Sequence, residues 1–224
     1  MPRILIWDWP TRLVHWLLVA LVFFSWGAAE YQHMDLHRYS GYTILGLLVF
    51  RLYWGIFGSH TARFKKFVKG PRAVFAYVRS LVSSSEPTAY GLQPTAHQVG
   101  HNPLGAISVI ALLTLLITQV ALGLFSVDVD GLESGPLSAH VSFETGRAIA
   151  KLHGKVFDLL FILIGLHVLA VLFYLLVKRD NLITPMFTGK KVVAITMATG
   201  SVTAPLARVV IGALIAGAIV WLIV

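Results

Sequence analysis

Long apolar runs alternate with short polar segments along the chain, and they predict a bundle of membrane helices. The runs are 17 to 22 residues long, and an α-helix of that length crosses a hydrocarbon core of about 30 Å. They cover residues 13–29, 39–57, 104–125, 157–177 and 206–224. The pattern predicts an all-α fold, with a four-helix transmembrane bundle and a fifth transmembrane helix at the C-terminus. The first run is too long and aromatic for a removable signal peptide, although it is compatible with a signal anchor.

Two of the polar segments have a character of their own. Residues 73–82 place apolar side chains at helical spacing, which predicts a short amphipathic helix at the membrane interface. The serine-rich residues 83–87 that follow predict a loop. Residues 126–142 are acidic and contain Gly131, Gly135 and Pro136, which predicts an outer loop suited to a cationic partner.

Composition supports the membrane assignment and removes several kinds of chemistry. Hydrophobic residues make up 57% of the 224 residues and charged residues 12%, whereas a soluble domain carries about 25% charged residues. Cysteine is absent, which excludes disulfides, thiolate-held iron–sulfur clusters and c-type haem attachment.

The formal net charge of +8 is spread unevenly, and its distribution predicts the topology. Residues 59–103 carry six basic side chains and one acid, whereas residues 126–150 carry four acids and one arginine. By the positive-inside rule the N-terminus is cytoplasmic and, after five spans, the C-terminus is periplasmic. The basic charge therefore indicates contact with anionic lipid headgroups and does not indicate nucleic-acid binding.

Four histidines lie at matching depths in the predicted spans. His15 is near the cytoplasmic start of the first span, and His37 is at the outer start of the second. His153 and His167 belong to the fourth helix, and their spacing of fourteen residues puts both side chains on one face, about 21 Å apart along the axis. Because successive spans alternate in direction, His37 pairs with His153 near the outer surface and His15 pairs with His167 in the cytoplasmic half.

Two imidazoles at one depth predict a haem. Ligation by histidines of facing helices fills both axial positions of the iron, and electron transfer is then its remaining function. Zinc usually needs four converging ligands, and neither level offers them. The sequence therefore predicts two b-type haems, held by His37 with His153 and by His15 with His167. For any single histidine a hydrogen bond across helices is the alternative, and matching the inner pair requires helix tilt.

The other histidines are weaker candidates. His33 lies four residues before His37, and His101 lies at the cytoplasmic entrance of the third span, which is the wrong side for the outer pair. The remaining three fall in predicted loops, where solvated side chains are expected. They are His60, His97 and His140.

Three arginines are candidate partners of haem propionates. Arg51 lies late in the second span, Arg38 follows His37 directly, and Arg12 precedes His15 by three residues. For Arg51, snorkelling of the side chain to lipid headgroups is an equally good interpretation.

At these residues the chain resembles the bacterial di-haem cytochrome b family that includes the cytochrome b subunits of nickel–iron hydrogenases. The similar segments run through nearly all of the first 190 residues and are specific in combination. They are Trp7-Asp8-Trp9-Pro10-Thr11-Arg12 with His15-Trp16, His37-Arg38-Tyr39-Ser40-Gly41-Tyr42, Phe50-Arg51-Leu52-Tyr53-Trp54-Gly55 with Gly58-Ser59, Gly70-Pro71-Arg72-Ala73-Val74, Gly100-His101-Asn102-Pro103, Leu152-His153 and Leu166-His167.

The resemblance implies a haem domain over residues 1–190 and an additional helix within residues 191–224. It also implies electron transfer in the bacterial inner membrane between the quinone pool and a periplasmic partner, either a c-type cytochrome or an oxidoreductase or hydrogenase subunit. The histidines identified from spacing are the ones that match. The identity of the partner, the direction of electron flow, the quinone pocket, the oligomeric state and the role of the fifth span stay open.

Two other functions fit part of the pattern. A stand-alone oxidoreductase that passes electrons from superoxide or another small donor to quinone would use the same haems. A non-redox metal or proton transporter would use the histidines as relay positions. The predicted spans, however, contain no acidic pair beyond Asp158 and no inverted repeat, which disfavours transport.

Overall fold

The computed structural model describes residues 3–82, 102–130, 133–192 and 202–224, without the side chains of residues 80–82. Five of the helices in this part are long and apolar enough to cross a membrane. Each of the five covers one predicted span, which confirms the all-α transmembrane bundle. In chain order the helices are α1 (Trp9–Glu30), α2 (Met34–Phe57), α3 (Phe64–Phe67), α4 (Pro71–Val82), α5 (Pro103–Phe125), α6 (Phe143–Leu176), α7 (Ile183–Thr188) and α8 (Leu206–Ile223).

Polar caps fix the starts of three long helices. The Asp8 carboxylate accepts a hydrogen bond from the Thr11 amide at 2.7 Å before α1, and the Ser142 hydroxyl accepts one from the Thr145 amide at 3.2 Å before α6. Asn102 caps α5 in the same way. Because of its cap, α6 begins at Phe143 rather than at residue 157. Its 34 residues reach about 51 Å, so its first turns extend beyond a hydrocarbon core of about 30 Å.

Four of the long helices enclose a common apolar core. α1 packs along α2, α5 packs along α6, and α2 also contacts α5. Leu48, Trp54 and Leu160 are almost completely buried between them. α8 packs against α2, where a Cβ atom at Gly212 would lie 2.6 Å from the ring of Tyr53, so only glycine permits this close approach.

A two-stranded antiparallel ladder, which the sequence did not predict, joins the two ends of the bundle segment. Its strands are β1 (Arg3–Leu5) and β2 (Lys190–Val192). Gly189 turns the chain with a φ of 79°, and its carbonyl oxygen accepts hydrogen bonds from the amides of Ile6 and Trp7. Strands of three residues are too short to show a period-two pattern, so the alternation of apolar and polar residues could not predict them.

The predicted amphipathic helix is present as α4. It contacts α5, and the hydroxyl of Tyr77 lies 2.6 Å from the hydroxyl of Tyr174 on α6. Phe75 projects away from the bundle and is 72% exposed, as expected for a helix that also meets the membrane interface. The predicted loop at residues 83–87 lies outside the described residues.

Candidate functional site

His37 and His153 face each other near one end of the bundle. α2 presents His37 in its first turn and α6 presents His153 in its third, and the two ring centroids are 6.0 Å apart with their planes at 88°. The two imidazoles are thus close enough to approach one metal ion together, as their matching depths in the sequence predicted.

Hydrogen bonds to backbone carbonyls orient both of these rings. His37 Nδ1 lies 2.9 Å from the carbonyl oxygen of Ser25 on α1, and His153 Nδ1 lies 2.9 Å from that of Gln119 on α5. A carbonyl oxygen only accepts, so each Nδ1 is the donor and each Nε2 keeps its lone pair. The Ser25 hydroxyl lies 3.1 Å from His37 Nδ1 and supports the same orientation. This is the arrangement that fixes the tautomer of a metal-binding histidine.

A cavity of about 310 Å³ adjoins the two rings, and side chains of α1, α2, α5 and α6 line it. Glycines on three of these helices, Gly41, Gly123 and Gly154, belong to its wall. A Cβ atom at Gly123 would lie 3.1 Å from His153 Cε1, so this glycine leaves the space that the ring occupies. The site therefore combines two imidazoles with an apolar cavity. Where glycines line this cavity, no side chain prevents a flat group from approaching the backbone.

The acidic outer loop forms part of the wall of this cavity. Gly135 and Pro136 line it, and the amide of Gly135 donates to the carbonyl oxygen of Ser126 at 2.8 Å. Glu133 forms an ion pair with Arg38 at 3.0 Å, which joins the loop to the start of α2. The predicted turn residue Gly131 lies outside the described residues.

His15 and His167 form a looser pair at the other level. His15 on α1 is within electrostatic range of His167 on α6. Its Nδ1 is buried and has no hydrogen-bond partner among the described residues, and His167 Nδ1 lies 3.4 Å from the hydroxyl of Ser108 on α5. Leu160, which is 1% exposed, lies on α6 between the two levels. The second pair is therefore brought together but is less tightly oriented than the first.

The three arginines lie in different surroundings. Arg38 lines the cavity beside His37, although Asp35 and Glu133 already pair with it. Arg12 donates to the carbonyl oxygen of Phe187, and its buried Nε has no hydrogen-bond partner within the described part of the chain.

Arg51 is buried near the opposite end of the bundle from His37. Its guanidinium lies 4.8 Å from the centre of the Phe64 ring and contacts the carbonyl oxygen of Ala62 at 3.5 Å. Its side chain is only 6% exposed, so it does not snorkel to the headgroups.

Of the remaining histidines, the three that the structure describes do not belong to either pair. His33 is an exposed residue at the start of α2, and His140 is exposed in the outer loop, as expected. His60 is half-buried, and burial, with the charges of Lys66 and Arg63, lowers its pKa, so the imidazole is neutral. His97 and His101 lie outside the described residues.

Sequence reasoning missed Gln119 and the buried Asp8. The Gln119 amide nitrogen lies 3.0 Å from His153 Nε2, while its Oε1 is buried without a partner. Asp8 accepts from the indole nitrogen of Trp54 at 2.9 Å, which ties the start of α1 to α2. Gln119 could have been identified from the sequence, because a glutamine within an apolar span is unusual. For Asp8, only its place before Pro10 pointed to a cap.

Comparison with known proteins supports the same chemistry. A sequence model of the family described as prokaryotic cytochrome b561 matches residues 6–189, which is most of the chain and ends before α8. No curated protein and no solved structure gives a significant match. Among the described residues, no group of three or more histidine, cysteine or acidic side chains converges as a metal site.

Proposed function

The chain belongs to the prokaryotic cytochrome b561 family, and on this premise we propose that it is a di-haem cytochrome b linking the quinone pool to a periplasmic redox partner. Membership makes it a multi-pass bacterial membrane protein that binds haem b and transfers electrons. In this proposal, His37 and His153 hold an outer haem, and His15 and His167 hold an inner haem. It also assigns residues 1–190 to the haem domain and residues 191–224 to an added helix.

The observation that carries this proposal is the facing pair His37 and His153. Their ring centroids are 6.0 Å apart, and each ring holds its Nδ1 against a backbone carbonyl of a different helix. A plain hydrogen bond between helices would use one histidine and one partner. Two facing histidines that both use Nδ1 for a backbone carbonyl have Nε2 as the atom that can bind a metal, and this is the arrangement expected of a pair of haem ligands.

The residues around this pair fit a haem. The cavity is apolar, as a porphyrin requires, and Arg38 lies at its edge, where a propionate carboxylate would meet a cation. Haem binding would require the Gln119 amide to leave His153 Nε2; its Oε1 has no hydrogen-bond partner among the described residues that would hold the amide in place. At the inner level, His15 Nδ1 likewise has no hydrogen-bond partner in the described part of the chain, so no such bond opposes rotation of this ring toward a haem. Arg12 and Arg51 stay predictions as propionate partners.

A haem held by these histidines would supply one-electron exchange. The chain supplies the rest: α6 presents a histidine at each of two depths about 21 Å apart along its axis. Ser25 and Gln119 orient the outer rings, and the outer loop lines part of that cavity. The protein thereby provides two steps of a transmembrane electron path.

The visible spectrum of the detergent-purified protein tests this proposal. We expect sharp α-bands after reduction with dithionite and a pyridine haemochrome value near two b haems per chain. A colourless protein would refute the proposal, and one haem per chain would refute the inner or the outer assignment.

The proposed orientation places the N-terminus in the cytoplasm and the C-terminus in the periplasm. Because the chain has no cysteine, single-cysteine variants can be labelled without background. We expect Ala139→Cys in the outer loop to react with an impermeant maleimide in spheroplasts, and Lys65→Cys in α3 to react only after lysis. The reverse result would contradict the orientation.

The acidic outer loop is the proposed docking surface for a cationic partner such as a c-type cytochrome. Asp130 in this loop and Glu144 in the first turn of α6, directly after it, are both exposed. Replacing them with Asn and Gln should slow electron exchange with a basic c-type cytochrome several-fold at low ionic strength. The difference should vanish at about 1 M salt, where charges are screened within about 3 Å. Equal rates at low salt would exclude this surface.

A further inference from the structure

A second crevice, of about 1020 Å³, lies between α2 and α8. Its floor is formed by small residues, including Gly46 on α2 and Gly217 on α8. A Cβ atom at Gly217 would have no neighbour within 4 Å, so the absent side chain leaves open space. Because both helices span the membrane, this space opens toward lipid.

Four aromatic side chains line the crevice, Tyr39, Tyr42, Phe50 and Trp221, and two of them carry hydroxyl groups. The rings of Tyr39 and Tyr42 on α2 pack edge to face with their centroids 6.4 Å apart. Trp221 lies near the end of α8. Both tyrosines line the crevice, and a phenol hydroxyl can donate or accept a hydrogen bond. Tyr39 and Trp221 are strongly exposed and also suit a membrane-interface belt, whereas Tyr42 is half-buried.

Tyr42 connects the crevice with the haem site proposed above. It lines both the crevice and the cavity that contains His37 and His153. A ligand in the crevice would therefore lie one side chain away from the outer cavity. Its apolar parts could remain in the bilayer.

We propose that this crevice binds the ring of a quinone or quinol, with the Tyr42 hydroxyl as a hydrogen-bond partner of a ring oxygen. The inference rests on the proposed di-haem function, and it gives α8 a role. A quinone combines a flat ring, two oxygen atoms and an apolar tail, and these match the aromatic border, the tyrosine hydroxyls and the lipid-facing walls. A phospholipid chain would use the walls but not the hydroxyls.

Electron exchange at this position balances with two haems. A quinol that becomes a quinone gives up two electrons and two protons. One electron passes to each of the two ferric irons in turn, and the protons enter the water at that end of the bundle. Quinone reduction is the same step in reverse, with two ferrous irons as donors.

A photoreactive azido-quinone tests the site directly. The detergent-purified, haem-loaded protein is illuminated with the probe, and labelled peptides are mapped by mass spectrometry. We expect adducts within residues 39–47 and 213–224. Labelling confined to other segments, or copurified phospholipid that blocks the crevice against the probe, would overturn the proposal.

Matched variants make this test specific. Gly217→Leu fills the crevice and should abolish most of the labelling, whereas Ala218→Leu adds bulk to the next residue of α8, outside the crevice, and should not. Tyr42→Phe should weaken probe binding about fivefold, the loss of one hydrogen bond of about 1 kcal/mol. Equal labelling of the Gly217→Leu protein would refute the site. If all variants keep two haems but none is labelled, only the quinone proposal fails; if the parent protein lacks haem, the di-haem proposal fails.

Discussion

The two histidine levels of the bundle differ in how firmly the surrounding residues orient the imidazole rings. At the outer level both rings are held by carbonyl oxygens of neighbouring helices, 2.9 Å from each Nδ1, and they adjoin a defined cavity. At the inner level His15 Nδ1 has no partner among the described residues, and His167 Nδ1 has only the Ser108 hydroxyl at 3.4 Å. The same helix, α6, thus carries one firmly oriented histidine, His153, and one loosely oriented histidine, His167.

This difference teaches that ligand position and ligand orientation have separate sources. Helix period and span alternation bring both pairs together, but backbone carbonyls of a third and a fourth helix orient only the outer pair. A site that is oriented before its cofactor arrives loses less conformational entropy on binding. The inner site should therefore depend more on the haem itself for its final geometry.

Removal of the α6 ligands should have the largest effect. We expect His153→Ala and His167→Ala each to lower the haem content from two to one per chain, because each iron loses an axial ligand. Pyridine haemochrome measures the content. His33→Ala, an exposed histidine near His37, is the control and should keep both haems. If His153→Ala lost both haems while His167→Ala lost one, the inner site would depend on the outer, and the two levels would not be independent.

The pairing of the histidines was within reach of the sequence, because helical periodicity and alternating spans determine depth. The full length of α6 was harder to predict. Residues 143–156 are too polar to be recognised as part of an apolar span, although Ser142 is a normal helix cap. The ring orientation was not accessible at all. The acceptors at Ser25 and Gln119 are backbone carbonyls, which every residue carries.

Haem titration should show the outer site filling first. Each oriented ring avoids an ordering cost of about 0.5–1.5 kcal/mol, so two rings should favour the outer site about tenfold. The measurement is the haem affinity of apo-protein carrying His167→Ala, which keeps the outer site, against that carrying His153→Ala, which keeps the inner site. Equal affinities would remove the distinction between the two levels.

Deletion of one hydroxyl should affect the inner level more than the outer. Ser108→Ala removes the partner of His167 Nδ1 and leaves a buried donor unpaired, which costs about 1 kcal/mol or about fivefold in haem affinity. Ser25→Ala removes a hydroxyl at 3.1 Å but leaves the carbonyl at 2.9 Å, so its effect should be less than about twofold. Transfer of haem to an apo-globin measures both losses. A larger loss in Ser25→Ala would mean that the carbonyl does not orient His37.

Substitution of two glycines tests the same difference between the outer and inner levels, and it should have the smallest effect. Gly123 lies beside His153, and an added Cβ atom would be 3.1 Å from its Cε1, so the ring would shift by a few tenths of an ångström. We expect Gly123→Ala to weaken the outer haem about threefold, since a shifted ring strains its bond to the Gln119 carbonyl by less than the whole hydrogen bond of about 1 kcal/mol. Gly165, two residues before His167, has nothing within 4 Å of an added Cβ atom, so Gly165→Ala should leave both haems in place. Stepwise haem loss under mild denaturant separates the two variants. A Gly123→Ala protein with unchanged haem retention would show that His153 has room to move, and the outer ring would then be no more fixed than the inner one.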